Sequence, residues 1–324
     1  MPAKRKRRIN NSITEGKLGA SLWKLAMPMM AGALLQNLFT LTDLFFVGRL
    51  GYVAVGALTI AGVVISIIMM LSMGISAGTT ALIAHFTGKK DYGSADKVLF
   101  QTVIISVVCS LATVLAGIFG RYFLLRLFGA TEEVIPAASE YIRIVFTFSI
   151  TIFLFIGFNQ ALRGSGDAVT PLKILLFANV LNIVLDPLFI FGIGFFPRLG
   201  VAGSAIATVI SRGAGVFILF MHFIFGDSSL HFKRGVFRIN IPLVARMVKI
   251  GFFTSFEVML RQISILLLWR LIASFGTASI AATGIVMQIR MAVMMVGFGM
   301  GAAASVLIGQ NMGASQPARA GKSG

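Results

Sequence analysis

Asp43, Asp186 and Glu257 are each the lone acid in a long apolar run of this 324-residue chain. An ionised carboxylate placed in hydrocarbon costs several kcal/mol, and a sequence keeps one there when it has work to do. The chemistry open to such a group is exchange of a proton, a metal-type cation or a charged substrate. Two acids brought close in a poorly solvated site sharpen this, because both cannot ionise cheaply at once. A third feature separates Glu257 from the other two. Arg261 lies four residues on, at helical ion-pair spacing, so Glu257 reads equally as half of a structural pair.

Helical geometry supplies partners for the acids. Gln36, Thr40 and Asp43 fall at i, i+4 and i+7, one stripe of an α-helix. Asn179, Asn182 and Asp186 repeat that stripe, and Ser204, Thr208 and Ser211 make another. Tyr141 and the pair Asn159–Gln160 sit at the two ends of a further apolar run. Amides and hydroxyls can bond either form of a carboxyl, which suits a group that changes protonation. Asp43 and Asp186 are therefore the expected proton- or cation-coupling acids, with Asn182, Ser204 and Thr208 as candidate partners. A single Asn, Ser or Thr in a membrane helix, however, more often makes an ordinary interhelical hydrogen bond. Gln36, Tyr141, Asn159, Asn179 and Glu257 are expected along a substrate cavity. Pro28 removes a helix hydrogen bond about four turns before Asp43, so a kink is expected there; Pro187 could loosen the helix carrying Asp186.

The elements that must hold these residues are transmembrane helices. The composition is 57% hydrophobic and 12% charged, and the mean hydropathy is +0.92. Uncharged stretches such as 53–84 and 98–120 exceed the roughly 20 residues needed to cross a ~30 Å hydrocarbon core. Lipid forces backbone hydrogen bonds to close within a segment, so these stretches read as helices. About eight spans are expected, near 22–48, 53–86, 97–120, 136–162, 171–193, 200–225, 245–273 and 277–311. The fold class is an all-α polytopic membrane protein.

The net charge of +17 follows topology rather than nucleic-acid binding. Lys4–Arg8, Lys89, Lys90, Lys97, Lys173, Lys233, Arg234 and Arg238 lie in or flank alternate loops, the positive-inside pattern. The N-terminus is expected in the cytoplasm and the chain in the inner (plasma) membrane, with anionic lipids as neighbours. Cys109 is the single cysteine and allows no intrachain disulfide.

The chain also resembles itself. The segment 74–88 (GISAGTTALIAHFTG) matches 299–313 (GMGAAASVLIGQNMG), a shift of 225 residues that also carries Gly51 onto Gly276. Six expected spans lie within the shift, so both copies enter the membrane in the same direction, as in a parallel repeat. The expected organisation is a basic tail (1–21), a six-helix N-lobe (22–225), a cytoplasmic connection (226–244) and the first two helices of a C-lobe (245–324). A full second copy would run past residue 324, so the chain reads as a fragment.

Enzyme chemistry finds little support. His85, His222 and His231 lack metal-ligand spacing, no activated nucleophile is apparent, and no phosphate-binding G-x-x-x-x-G-K-S/T loop occurs. Gly164–Asp167 matches the G-x-G-D string of intramembrane aspartyl proteases, but it sits in a polar break and reads as a turn.

Several segments together carry a family likeness. Pro28 with 41–51 (LTDLFFVGRLG), 163–171 (RGSGDAVTP), 182–187 (NIVLDP) and 200–208 (GVAGSAIAT) resemble the first, fourth-loop, fifth and sixth elements of the multidrug and toxic compound extrusion (MATE) family. The resemblance implies twelve helices in two lobes and export of cationic or amphipathic drugs. Inward flow of protons or sodium drives that export, and no cofactor is needed. It implies that positions matched by Asp43 and Asp186 form an N-lobe hydrogen-bonded site, joined by Gln36, Tyr141, Asn159, Asn182 and Ser204. Glu257 resembles a seventh-helix acid of the sodium-linked branch. The expected partners are small-molecule substrates and membrane lipids, with no nucleic acid, and the protein is expected to be a monomer. The alternatives carried with this reading are a lipid-linked oligosaccharide flippase of the same superfamily and a membrane fragment that does not transport.

Overall fold

In the computed structural model, residues 12–233, 238–275 and 277–323 are described. The basic run Lys4–Arg8, Arg234 and Gly276 lie outside them. The chain is built from α1 (Ser12–Glu15), α2 (Leu18–Gly48), α3 (Tyr52–Gly88), α4 (Tyr92–Leu127), α5 (Ile135–Thr147), α6 (Ser149–Gly164), α7 (Val169–Phe191), α8 (Val201–Phe225), α9 (Ile241–Ala273), α10 (Thr277–Gly313) and α11 (Pro317–Gly321). Among the described residues no strand occurs, and α2, α3, α4, α7, α8 and α9 are each long and apolar enough to cross a membrane. The protein is a helical, polytopic membrane protein. Against the eight expected spans, the described residues hold six, or seven if the bent pair α5–α6 is one span; the eighth expected segment falls on α10, 37 residues long and not among them.

Local sequence explains where the helices begin. The Asp91 carboxylate caps α4 by accepting from the Ser94 amide at 3.0 Å, and the Asn240 side chain caps α9 by accepting from Leu243 at 3.1 Å. Proline stands in the first turn of α5 and α9, where no backbone N–H is missed. Many large apolar side chains face outward, including Leu34, Phe119, Phe195 and Phe217. That exterior is what lipid as solvent demands, whereas Phe153, Phe158 and Phe223 fill the interior, with Phe158 and Phe223 edge to face at 5.3 Å.

One expectation meets a correction. The span expected at 136–162 is two helices, α5 and α6, bent by 54° at Phe148. No proline causes the bend. Instead, hydroxyls on either side take main-chain carbonyls: Thr147 donates to Arg143 at 2.6 Å and Thr151 to Phe148 at 2.9 Å, while Ser149 turns to Ser110 at 3.0 Å. Such local bonds compete with the helix ladder and bend it. Pro28 lies inside α2, which continues as one helix from Leu18 to Gly48.

The repeat reappears as geometry. A side-chain carbon at Gly88 would collide with the Gln310 carbonyl, and one at Gly313 with the His85 carbonyl. Residues 88 and 313, and likewise 85 and 310, are related by the 225-residue shift. The ends of α3 and α10 therefore pack reciprocally, each glycine against the other helix's backbone. Gln310 seals this junction further by donating to the Gly164 carbonyl at 3.0 Å.

A candidate coupling site and its cavity

Three helices bring the polar stripes together. Asp43 comes from α2, Asn182 and Asp186 from α7, and Ser204 and Thr208 from α8, all buried. The register follows from helical spacing: Asn182 sits one turn before Asp186 on the α7 face that meets α2 and α8. Its amide nitrogen bridges the two acids, donating to Asp43 Oδ1 at 3.4 Å and to Asp186 Oδ1 at 3.3 Å. The Thr208 hydroxyl donates to Asp43 Oδ2 at 3.3 Å. Asp43 and Asp186 also face each other directly, carboxyl to carboxyl.

Three oxygens complete the picture. Asp186 Oδ2, Asn182 Oδ1 and Ser204 Oγ are sealed from solvent, and none has a hydrogen-bond partner among the described residues. An orphaned buried polar atom carries a cost of about 1–3 kcal/mol. A proton on either acid would supply a donor between the two carboxyls and remove their charge repulsion in the same step. The chemistry open to the arrangement is uptake of one proton between the two acids. Its oxygen atoms could equally surround a small hard cation.

Only one of the acids opens onto space. Asp43 lines a cavity of about 410 Å³, together with Phe39, Met69, Tyr141, Thr208 and Arg212 among others. That size suits a small organic molecule. The walls are mainly apolar and come from α2, α3, α5, α6 and α8. The bend between α5 and α6 places Tyr141 and Val145 from one side of the break, and Ile152 from the other, on the same wall. Asp186 lies behind Asp43 and does not reach the cavity. A molecule entering the cavity would meet Asp43 and not Asp186.

The other expected residues fall elsewhere. Tyr141 lines the cavity, and its hydroxyl lies near Ser204 and within the fields of Asp43, Arg212 and Asp186. Gln36, Asn159, Asn179 and Glu257 lie outside this lining. Gln36 is exposed on α2. Asn159 and Asn179 are buried, but each spends its amide on the carbonyl one turn back, Phe155 at 2.5 Å and Leu175 at 2.9 Å. Glu257 is exposed and pairs with Arg261 at 2.5 Å. Among the described residues no group of three or more His, Cys, Asp or Glu could hold a metal ion.

Sequence reasoning missed Arg212. It is the one Lys or Arg between residues 201 and 225, four residues after Thr208 and eight after Ser204, hence on their face of α8. Its guanidinium stands 5.1 Å from the Phe39 ring centre and acts on Asp43 and Tyr141 through its charge. The sequence signal is that spacing, a lone cation on the polar face of an otherwise apolar helix.

Comparison with known proteins agrees with this architecture. The chain is 29% identical over 312 residues to the probable multidrug resistance protein YoeA of Bacillus subtilis, covering 94% of this chain and 67% of that protein. It is 25% identical over 315 residues to a FAD transporter of Shewanella oneidensis, covering 96% and 69% respectively. A solved outward-facing multidrug resistance MATE transporter of the MOP superfamily superposes with a TM-score of 0.88 at 25% identity, over 98% of this chain and 70% of the other. The chain thus spans about two thirds of the length of the proteins it matches. The MatE family model matches residues 28–188 and 254–324, taking in the helices that carry Asp43, Asn182, Asp186 and Tyr141, and on that match the chain belongs to the MatE family of transporters.

Proposed function

We propose that this chain forms the coupling part of a secondary antiporter that exports cationic or amphipathic organic compounds in exchange for protons. One observation carries the reading: Asp43 belongs both to the bridged pair with Asp186 and to the cavity wall. Whatever binds in the cavity therefore meets the protonation state of the pair. With both acids ionised, Asp43, Asp186 and Arg212 sum to one negative charge. One proton makes the cluster neutral, and two make it positive. An organic cation and a proton consequently compete for the same site, which is the requirement for exchange. Each ligand then favours the conformation that binds it better, so the two alternate across the membrane.

The same reading assigns α2–α8 to a first lobe and α9–α10 to the start of a second. The N-terminus lies in the cytoplasm, in a multi-pass protein of the plasma (inner) membrane. Sodium is the second reading for the coupling ion, and the orphaned Asp186 Oδ2 and Asn182 Oδ1 favour it, since hard oxygens without donors suit a small cation. The names of the relatives, probable multidrug resistance protein and FAD transporter, support transport of organic solutes.

Binding of tetraphenylphosphonium to the purified chain in lipid nanodiscs tests the proposal. Affinity should fall on acidification from about pH 8 to about pH 5, as protons displace the cation. Asp43→Asn should weaken binding and flatten the pH dependence. An Asp43→Asn protein whose pH dependence matches the wild type would refute the competition.

A further inference from the structure

The geometry points to Arg212 as the residue that sets the cavity's substrate charge, admitting molecules that pair a basic group with an acidic one. The inference rests on the cavity being the substrate site and names the class of substrate. Arg212 and Asp43 are the two charged side chains in the lining, and they carry opposite signs. Asp43 is bonded on both carboxylate oxygens, by Asn182 and Thr208. Arg212 makes no hydrogen bond and no ion pair among the described residues, and its one close partner is the face of Phe39.

That combination is unusual in a membrane helix. A guanidinium stays protonated at any biological pH and carries five N–H donors in a planar fork. Stacking on an aromatic ring fixes the plane and leaves the donors free. The donors open onto a mostly apolar cavity, where a carboxylate or phosphate on a ligand would supply the missing acceptors in bidentate form. A group built only to cancel the charge of Asp43 would sit against it, yet Arg212 acts on Asp43 at a distance beyond ion-pair contact. The charged or titratable groups facing it are Asp43 from α2, Tyr141 from α5 and, further back, Asp186 from α7. The α3 and α6 walls add none.

The consequence is a two-point filter. A molecule with a single positive charge is attracted by Asp43 and repelled by Arg212 within one small cavity. A zwitterion of the same size satisfies both. Protonation of the acid pair then releases the basic end while Arg212 still holds the acidic end. Substrate charge thus also determines how completely protons can expel the ligand.

Rhodamine B, which carries a free carboxylate beside its cationic ring system, and its ethyl ester, which carries the cation alone, form a matched pair of fluorescent probes. Anisotropy titrations on the purified chain in nanodiscs at about neutral pH should show the acid binding about tenfold more tightly than the ester, the scale of one charge-assisted bond. Arg212→Gln should remove that preference by weakening the acid about tenfold or more while the ester holds or tightens. Arg212→Lys should keep the sign with a smaller ratio, because charge survives and the fork does not. A wild-type protein with no preference for the acid overturns the inference, as does an unchanged ratio in a folded Arg212→Gln protein. If that variant does not fold, the wild-type ratio and Arg212→Lys decide. Binding of both dyes without discrimination leaves the cavity reading standing, whereas binding of neither removes both.

Discussion

Helices α3 and α9 cross at a pair of glycines, and the crossing sets a measurable limit on side-chain size. A carbon added at Gly74 would lie 2.8 Å from the Gly251 carbonyl oxygen and 2.6 Å from Ser255 Oγ; one added at Gly251 would lie 2.7 Å from the Gly74 carbonyl oxygen. Van der Waals carbon contacts are optimal at about 3.5 Å or more, so alanine at either site must separate the helices by roughly 0.7 Å. Lipid supplies no hydrophobic force to hold helices together, which leaves close packing to do it. Overpacking of this kind costs about 1–3 kcal/mol, against which the helix propensity of alanine returns up to about 1 kcal/mol. The Ser255 hydroxyl, which donates to the Met70 carbonyl at 3.2 Å, is displaced as well. The assay is thermal unfolding of the protein in nanodiscs, with Gly120→Ala as the control, since its nearest neighbour lies 4.0 Å away on a flexible Leu124. Gly74→Ala and Gly251→Ala should each lower the midpoint, and the control should hold or raise it. The double variant should lose less than the sum, because the first alanine already opens the crossing. Additive losses, or single variants no worse than the control, would show that the two backbones are not in contact there.

Other predictions follow from single residues. Asn182→Leu removes the donor that bridges the acids; both bonds are long, so we expect a loss of about 1–2 kcal/mol, read as roughly five- to thirtyfold weaker tetraphenylphosphonium binding above neutral pH. Glu257→Gln breaks an exposed pair worth under about 1 kcal/mol and should leave binding in the Asp43 cavity unchanged, as the same titration can verify. The bonds from Ser94, and then the charges of Lys89 and Lys97, hold the Asp91 carboxyl below its ordinary value. Its capping contribution is therefore fully present above about pH 4 and disappears as the pH falls through the lower folded value. Asp91→Ala should cost about 1 kcal/mol near neutral pH and nothing in strong acid, measured by unfolding at the two pH values.

Helix positions were legible because hydropathy and length are read directly from sequence, and the solvent leaves the backbone no alternative to helix. The stripes on α2, α7 and α8 were equally plain, since spacing of three, four and seven places Asn182, Asp186, Ser204 and Thr208 on inward faces without further knowledge. What spacing does not reveal is which polar atom turns to its own backbone. Asn159 and Asn179 resemble Asn182 in sequence, yet their amides satisfy carbonyls one turn back and only Asn182 reaches across to α2. The bend at Phe148 was hidden for the same reason, because it arises from hydroxyl bonds rather than from a proline. The division of labour between Asp43 and Asp186 needed three-dimensional structure, as both look alike in an apolar run. Arg212 could have been found from its place on the Ser204–Thr208 face.

The central claim is that Asp43 and Asp186 share a proton that a bound cation displaces. Counting protons released per tetraphenylphosphonium bound, by calorimetry in buffers of different ionisation enthalpy, tests it most directly. Near neutral pH the wild type should release up to about one proton per cation, and Asp43→Asn and Asp186→Asn should each release close to none, since either change leaves no pair to share it. Proton release that survives in Asp186→Asn, or wild-type binding that releases none and depends instead on sodium, would contradict the account.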